Sequence, residues 1–272
     1  MIRKLSGLPS SGFAWILLAF LFLPVLIVVP VALTDRKYLS LPENGLSLQH
    51  FASLLNWETG WLPSMVLSLI IAVVATVISV AAAAIYAMGA WSLRGWWPSL
   101  TRVLLLSPLV VPPIIYAVGI FKLWAWLDLL DSYTGVTIVH VVLCLPFSVL
   151  AIGASLSHLD PRLIQAARSL GARPPTVYFR IVLPNIMPGV AAGAIFSFVS
   201  SWDEITVTLF ITSRHVVTLP RRIWTSIADS VDPALAAVAT LALAVTVIVL
   251  LLTTYFRHTQ LVKSSKPLNR SI

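Results

Sequence analysis

Charge and cysteine are both scarce in this chain. Only 10% of its 272 residues are Asp, Glu, Lys or Arg, 58% are hydrophobic, and the mean hydropathy is +0.94. Soluble domains carry about 25% charge, so the composition excludes a chain folded in water and implies a polytopic membrane protein. The single cysteine, Cys144, excludes an intrachain disulfide, and its apolar surroundings assign it to packing. The five histidines (His50, His140, His158, His215 and His258) lack ligand spacing, so no metal site is expected. The 12 glycines are dispersed and form neither G-x-x-x-x-G-K-[ST] nor G-x-G-x-x-G, so the chain cannot hydrolyse ATP by itself. No internal repeat or low-complexity segment is evident.

Acidic residues are the scarcer sign, 10 against 18 basic ones, for a net charge of +8. With no soluble domain to carry a basic face, that excess reads as membrane topology rather than nucleic-acid binding. Apolar runs at about 13–33, 62–90, 103–123, 135–156, 186–211 and 233–255 each have the length of a spanning helix. The fold class is therefore all-α and polytopic, a single transmembrane domain over 1–272. The first run is too long for a signal h-region and no small-residue cleavage site follows it, so it reads as a retained anchor with a cytoplasmic N-terminus. The polar segment 34–61 is then external, with Trp57 and Trp61 at the interface.

With six spans, twelve of the 18 Lys and Arg fall inside: Arg3, Lys4, Arg94, Arg102, Arg162, Arg168, Arg173, Arg180, Arg257, Lys263, Lys266 and Arg270. The six outside are Arg36, Lys37, Lys122, Arg214, Arg221 and Arg222. That two-to-one bias obeys the positive-inside rule and returns the C-terminus to the cytoplasm.

Within the spans, Ala72, Ala75, Ser79, Ala83 and Ala87 share one helix face, as do Gly189, Gly193 and Ser197. Small residues at this spacing let membrane helices approach closely. Pro108, Pro112 and Pro113 kink the third span, and such backbone is tolerated in lipid only beside protein or water, so Pro112 and Pro113 are expected at the pathway or at a packing kink. His140 has no carboxylate in its own span and reads as a satisfied packing residue. In the fifth span Ser197, Ser201, Glu204 and Thr208 fall on one side of a helix, with Trp202 and Asp203 adjacent. Counting about 1.5 Å per residue from Ile186 sets Glu204 about 27 Å along it. A carboxylate there costs about 2.5 to 3.5 kcal/mol unless partnered or wet, so these residues are expected to meet a cationic solute or to pair with a cation within the assembly.

The polar interval 159–184 stands apart. Asp160 and Pro161 start a helix of about three turns, and Gly171 ends it in the left-handed conformation. Pro174-Pro175 begins a second helix from Thr176 to Leu183, which Pro184 closes. Leu163, Ala166, Ala167 and Leu170 form a narrow apolar stripe ringed by Arg162, Arg168, Arg173 and Arg180. By spacing alone this is either a docking surface or a loop whose arginines fix topology.

The order Gln165-Ala166-Ala167, Gly171-Ala172, Ile181, Leu183-Pro184 resembles the EAA loop of permease subunits of bacterial binding-protein-dependent ABC importers. Gln165 stands where that family usually has Glu. The segment from Ser68-Leu69 through Thr76 to Ala87 and the Pro-rich third span are similar to the family's core helices. Ser201-Trp202-Asp203-Glu204 and the stretch from Leu219-Pro220 to Pro233-Ala234 are most similar to its spermidine/putrescine branch. The resemblance implies a type I ABC importer permease fold in the bacterial inner membrane, working by alternating access. It implies a second permease, an external solute-binding protein and a pair of ATPase subunits, which hold the ATP and magnesium. Gln165, Ala166, Ala167, Arg168, Leu170, Gly171, Ala172, Ile181, Leu183 and Pro184 would couple to that ATPase. An ion-coupled secondary transporter using Asp203 and Glu204 is the competing class, and an ABC permease for another small solute the nearer alternative.

Overall fold

The computed structural model describes residues 8–92, 96–229 and 231–264, with side chains over 12–90, 96–229 and 231–255. Arg3, Lys4, Arg94, Lys266 and Arg270 of the charge tally lie outside the described residues, as do the side chains of Arg257 and Lys263. The described chain is helical: α1 Leu8–Ala32, α2 Gln49–Leu55, α3 Trp61–Ser92, α4 Trp97–Val110, α5 Pro113–Leu127, α6 Tyr133–Ser157 and α7 Pro161–Ser169, then α8 Pro174–Val177, α9 Leu183–Trp202, α10 Thr206–Ile211, α11 Leu219–Asp229 and α12 Ala234–Ser264. Five helices are long and apolar enough to cross a membrane, and the broken pair α4–α5 makes a sixth span if counted as one.

The chain packs as two compact units, Pro63–Trp224 and Met1–Leu62 with Thr225–Ile272. In the second, α1 packs on α12, and α12 also meets α2. From Phe13 to Leu26 the α1 side chains are exposed. The polar segment after α1 is ordered by its own bonds: Ser47 N–H donates to Leu33 C=O at 2.9 Å, and Arg36 pairs with Glu43.

The unit Pro63–Trp224 is built on α6 against α9, the most extensive helix contact among the described residues. Gly189, Gly193, Ser197 and Ser201 are the buried face of α9. A Cβ at Gly189 would lie 2.4 Å from Ser155 Cβ and 2.7 Å from Ala151 C=O, so only glycine permits this approach. The α3 stripe of Ala72, Ala75, Ser79, Ala83 and Ala87 is likewise buried.

Three helix boundaries depart from the sequence expectation. The third span, expected as one kinked helix over 103–123, is α4 and α5 meeting at 106°. Val111 precedes Pro112 and Pro112 precedes Pro113, and proline pushes the residue before it out of helical backbone; both are extended, at ψ 127° and 134°. Pro108 also strips the Leu104 carbonyl of its helical donor, and the Ser107 hydroxyl replaces it at 2.8 Å. The fifth span, expected to run over 186–211, stops at Trp202 and resumes as α10. Finally, Pro184 does not close a helix. From Pro174 to Trp202 the backbone is continuously helical through a π-turn at Tyr178–Val182, whose wider ring carries the Leu183 N–H to Tyr178 C=O just before the proline that cannot donate. The Asn185 side chain donates to Ile181 C=O at 2.7 Å, supporting the same turn.

Candidate functional site: the 159–184 segment and the α9–α10 break

α7 forms where expected and is held from both ends. The Asp160 carboxylate accepts from the Arg162 N–H at 2.9 Å. At the other end Gly171 takes φ +80°, and the N–H groups of Leu170, Gly171 and Ala172 return to the carbonyls of Ala166, Arg168 and Ala167. Ile164 is buried, and Ala167, Ala172, Ile181 and Leu183 pack beside it on a core of Ala83, Ala87, Val149, Ile152, Val182 and Ile186. Leu163, Ala166 and Leu170 face outward, Leu170 at 88% exposure. The expected apolar stripe is thus divided: Ala167 belongs to the inner face with Ile164, and the rest is free. Gln165 and Arg168 lie on a further face, which with Ile164 lines a cleft of about 660 Å³. Pro184 is exposed on α9.

The structure separates the second group of expected site residues. Ser197, Ser201 and Thr208 are buried in contacts with α6 instead of extending an open polar face. Ser197 Oγ meets Ser148 Oγ at 2.8 Å, and Cys144 Sγ donates to the Ser197 carbonyl at 3.1 Å. His140 meets Ser201 Oγ through Nδ1 at 2.7 Å and Thr208 Oγ1 through Nε2 at 3.3 Å, so it is the satisfied packing residue that its sequence suggested. The correction has a simple cause: α9 ends at Trp202, so a continuous helical wheel does not apply to residues 203–208.

Asp203 is exposed and Glu204 half-buried at the break itself. Glu204 Oε1 accepts from the Val207 N–H at 2.8 Å, satisfying a free amide at the start of α10. Among the described residues neither acid forms an ion pair. Trp202 stacks on Phe198 with ring centroids 6.0 Å apart. Pro112 and Pro113 are exposed at the α4–α5 corner.

One structural residue escaped the sequence reading. Asp131, in the loop between α5 and α6, accepts four backbone N–H groups: Ser213 and Val216 on Oδ1 at 2.9 and 3.1 Å, Arg214 and His215 on Oδ2 at 2.8 and 3.0 Å. Its own N–H donates to Ile211 C=O at 2.8 Å. Burial pushes this carboxyl upward, but the four amides outweigh that and hold it well below the usual carboxylate range. No local pattern announces a contact between residues so far apart in the chain.

Residues 80–264 match the family described as "Binding-protein-dependent transport system inner membrane component". The chain is 26% identical over 241 residues to the spermidine/putrescine transport system permease protein PotC of Escherichia coli (strain K12), covering 89% of this chain and 90% of that protein. PotC of Haemophilus influenzae is 27% identical over 91% of this chain and 97% of its own length. The putrescine transport system permease protein PotI of Escherichia coli (strain K12) is 31% identical over 50% of this chain and 51% of its own length. In fold, the chain is similar to a chain in the crystal structure of a bacterial ABC transporter involved in the import of the acidic polysaccharide alginate, with a TM-score of 0.74 at 13% identity, over 94% of this chain and 99% of that one.

Proposed function

Because this chain belongs to the family of binding-protein-dependent transport system inner membrane components, we infer that it carries a polyamine such as spermidine or putrescine, as half of an importer's pathway. It is a permease subunit and a multi-pass inner-membrane protein; family membership displaces the ion-coupled reading. Its companions in this reading are a second permease, an external solute-binding protein and two ATPase subunits that hold ATP and magnesium. Both termini and the 159–184 segment face the cytoplasm.

The observation that carries the coupling role is the division of α7. Its inner face is anchored in the core through Ile164 and Ala167, while Leu163, Ala166 and Leu170 remain exposed beside the Gly171 bend. An anchored helix with a free apolar face can transmit a push. Gly171→Val is the direct test, because a β-branched residue at φ +80° costs about 1 kcal/mol or more and redirects the bend. Space around Gly171 is open, so the fold survives. Uptake in vesicles is expected to fall at least tenfold while subunit abundance holds; unchanged uptake would sink the coupling role.

The cation preference rests on Asp203 and Glu204, which lack a cationic partner among the described residues, and on the substrates named for PotC and PotI. Two positive charges of a diamine match two adjacent carboxylates. Asp203→Asn with Glu204→Gln is expected to raise the apparent KM for putrescine by about tenfold, the scale on which charge-assisted bonds act. Assembly should be retained, since the side-chain carbonyl introduced by Glu204→Gln still offers an acceptor to the Val207 N–H. Normal assembly with unaltered rate and apparent affinity would refute these acids as the cation path.

A further inference from the structure

Away from both candidate sites, α3 and α4 leave a groove of about 500 Å³ between them, lined by Ala82, Ile85 and Tyr86 of α3 and Thr101, Leu104 and Leu105 of α4. Ile85 and Leu104 are 64% and 62% exposed, so the groove opens on the outside of its unit. Its two hydroxyls are spent within the chain. Tyr86 Oη donates to Pro98 C=O at 3.1 Å, and Thr101 Oγ1 lies 2.9 Å from Trp97 C=O and 3.2 Å from Pro98 C=O. With both hydroxyl protons committed, the wall offers no side-chain donor and suits hydrocarbon. One end of the groove differs in kind. Trp96 and Trp97 stack there at the start of α4, ring centroids 4.2 Å apart, and both are more than half exposed. Exposed indoles concentrate at the headgroup level of a bilayer. Arg102 follows Thr101 of the wall, is exposed, and forms no ion pair among the described residues. A helical side chain leans toward the N-terminus of its own helix, which for Arg102 is the tryptophan end.

We propose that the α3–α4 groove is a binding site for an anionic phospholipid, which lays one acyl chain along Ala82, Ile85, Leu104 and Leu105 and sets its phosphate on Arg102 at the Trp96–Trp97 end. Basic sites between membrane helices select anionic headgroups in this way. The charge at the groove's end chooses the occupant. An apolar helix of another subunit would fill the groove but strand the guanidinium beside hydrocarbon, where an unpaired charge is costly. A zwitterionic lipid brings its own ammonium, which competes with Arg102 for the phosphate. An amphiphile with a hydrocarbon tail and a net negative head satisfies the dry wall and the cation together. The site involves neither the polyamine pathway nor the 159–184 segment, so it stands apart from both readings above.

The test places the assembled transporter in vesicles of mixed phosphatidylethanolamine and phosphatidylglycerol containing a trace of either lipid with a diazirine on its acyl chain. After illumination, peptide mass spectrometry reads the label on residues 82–86 and 101–105. Labelled phosphatidylglycerol is expected to mark these residues about fivefold more than labelled phosphatidylethanolamine, the scale on which one basic residue acts at an anionic membrane surface. Arg102→Gln should remove that preference and leave the phosphatidylethanolamine label unchanged. Ala82→Phe puts a ring into the groove and should suppress the label from both lipids. Arg102 is exposed, so its variant keeps the fold and decides the matter alone if Ala82→Phe unfolds early in detergent. Equal labelling by the two lipids, or a preference that survives Arg102→Gln, overturns the proposal. So does a label that is absent from the assembled transporter and present on the isolated chain, which identifies another subunit as the occupant. Excess inorganic phosphate should leave the label in place; its displacement would reduce the site to one for a free anion and overturn the lipid assignment.

Discussion

Gly189→Leu is expected to leave little intact permease in the membrane. The α6–α9 contact closes over a glycine whose added Cβ would sit 2.4 Å from Ser155 Cβ and 2.7 Å from the Ala151 carbonyl, and at Gly193 the nearest atom is the Ser148 Cα at 3.2 Å. Two of these three obstacles are backbone, which side-chain rotation cannot clear. The helices must separate, and the bonds above the contact go with them: Ser148 to Ser197, Cys144 to Ser197 and His140 to Ser201. Overpacking costs about 1 to 3 kcal/mol, and each interhelical hydrogen bond in a membrane contributes about 0.6 kcal/mol, so a loss of about 3 kcal/mol or more follows. Gly153→Ala on α6 is the control. Nothing lies within 4 Å of its added Cβ, and alanine improves helix propensity by about 1 kcal/mol, so its thermal unfolding midpoint in detergent should hold or rise. Equal midpoints for Gly189→Leu and the unaltered protein would mean that α6 and α9 do not meet at this face.

Asp131→Ala should cost about 2 to 3 kcal/mol, because four amides lose one carboxylate at once while water can re-solvate only the exposed ones. Asp131→Asn should fall almost as far. Its amide group offers one acceptor oxygen and turns an NH2 toward N–H donors. The pH dependence has a definite sign. The folded carboxyl is held below its ordinary value of 3.8, so the unfolded chain takes up a proton first. The stabilisation is complete above the unfolded value and drains away as pH falls below about 4. Thermal unfolding at pH 7 and at pH 3 should therefore show a steeper acid loss in the unaltered protein than in Asp131→Asn. Parallel losses would mean that the carboxylate bridge contributes no charge-dependent stability.

Much of this architecture was legible in one dimension because the bilayer imposes length and polarity on each span. The spans about 62–90 and 135–156 correspond to α3 and α6 within a few residues, since unbroken apolar runs leave the backbone no alternative to a helix. Small residues at helical spacing identified the α9 face, because close helix approach requires them whatever the partner is. Asp160 and Gly171 marked the ends of α7 through purely local chemistry, a carboxylate for a free amide and a glycine for positive φ.

What escaped the sequence depends on partners distant in the chain. Nothing in Ser201-Trp202-Asp203-Glu204 is a helix breaker. The helix ends there with the Glu204 carboxylate on the Val207 amide and His140 of another helix taking Ser201 and Thr208. The three prolines of the third span announced a disturbance, but a 106° turn rather than a kink reflects two consecutive residues forced to extended backbone. Pro184 read as a stop because a proline normally interrupts the ladder, and the π-turn before it supplied a route around that interruption. The sequence by itself determined which segments enter the membrane, which faces are small and where the basic segment bends, all of them properties of nearest neighbours and of solvent. Only the tertiary structure decided which polar residues are spent on internal bonds and which are left uncommitted, because a hydroxyl or carboxylate is available for function only when no distant atom has already claimed it.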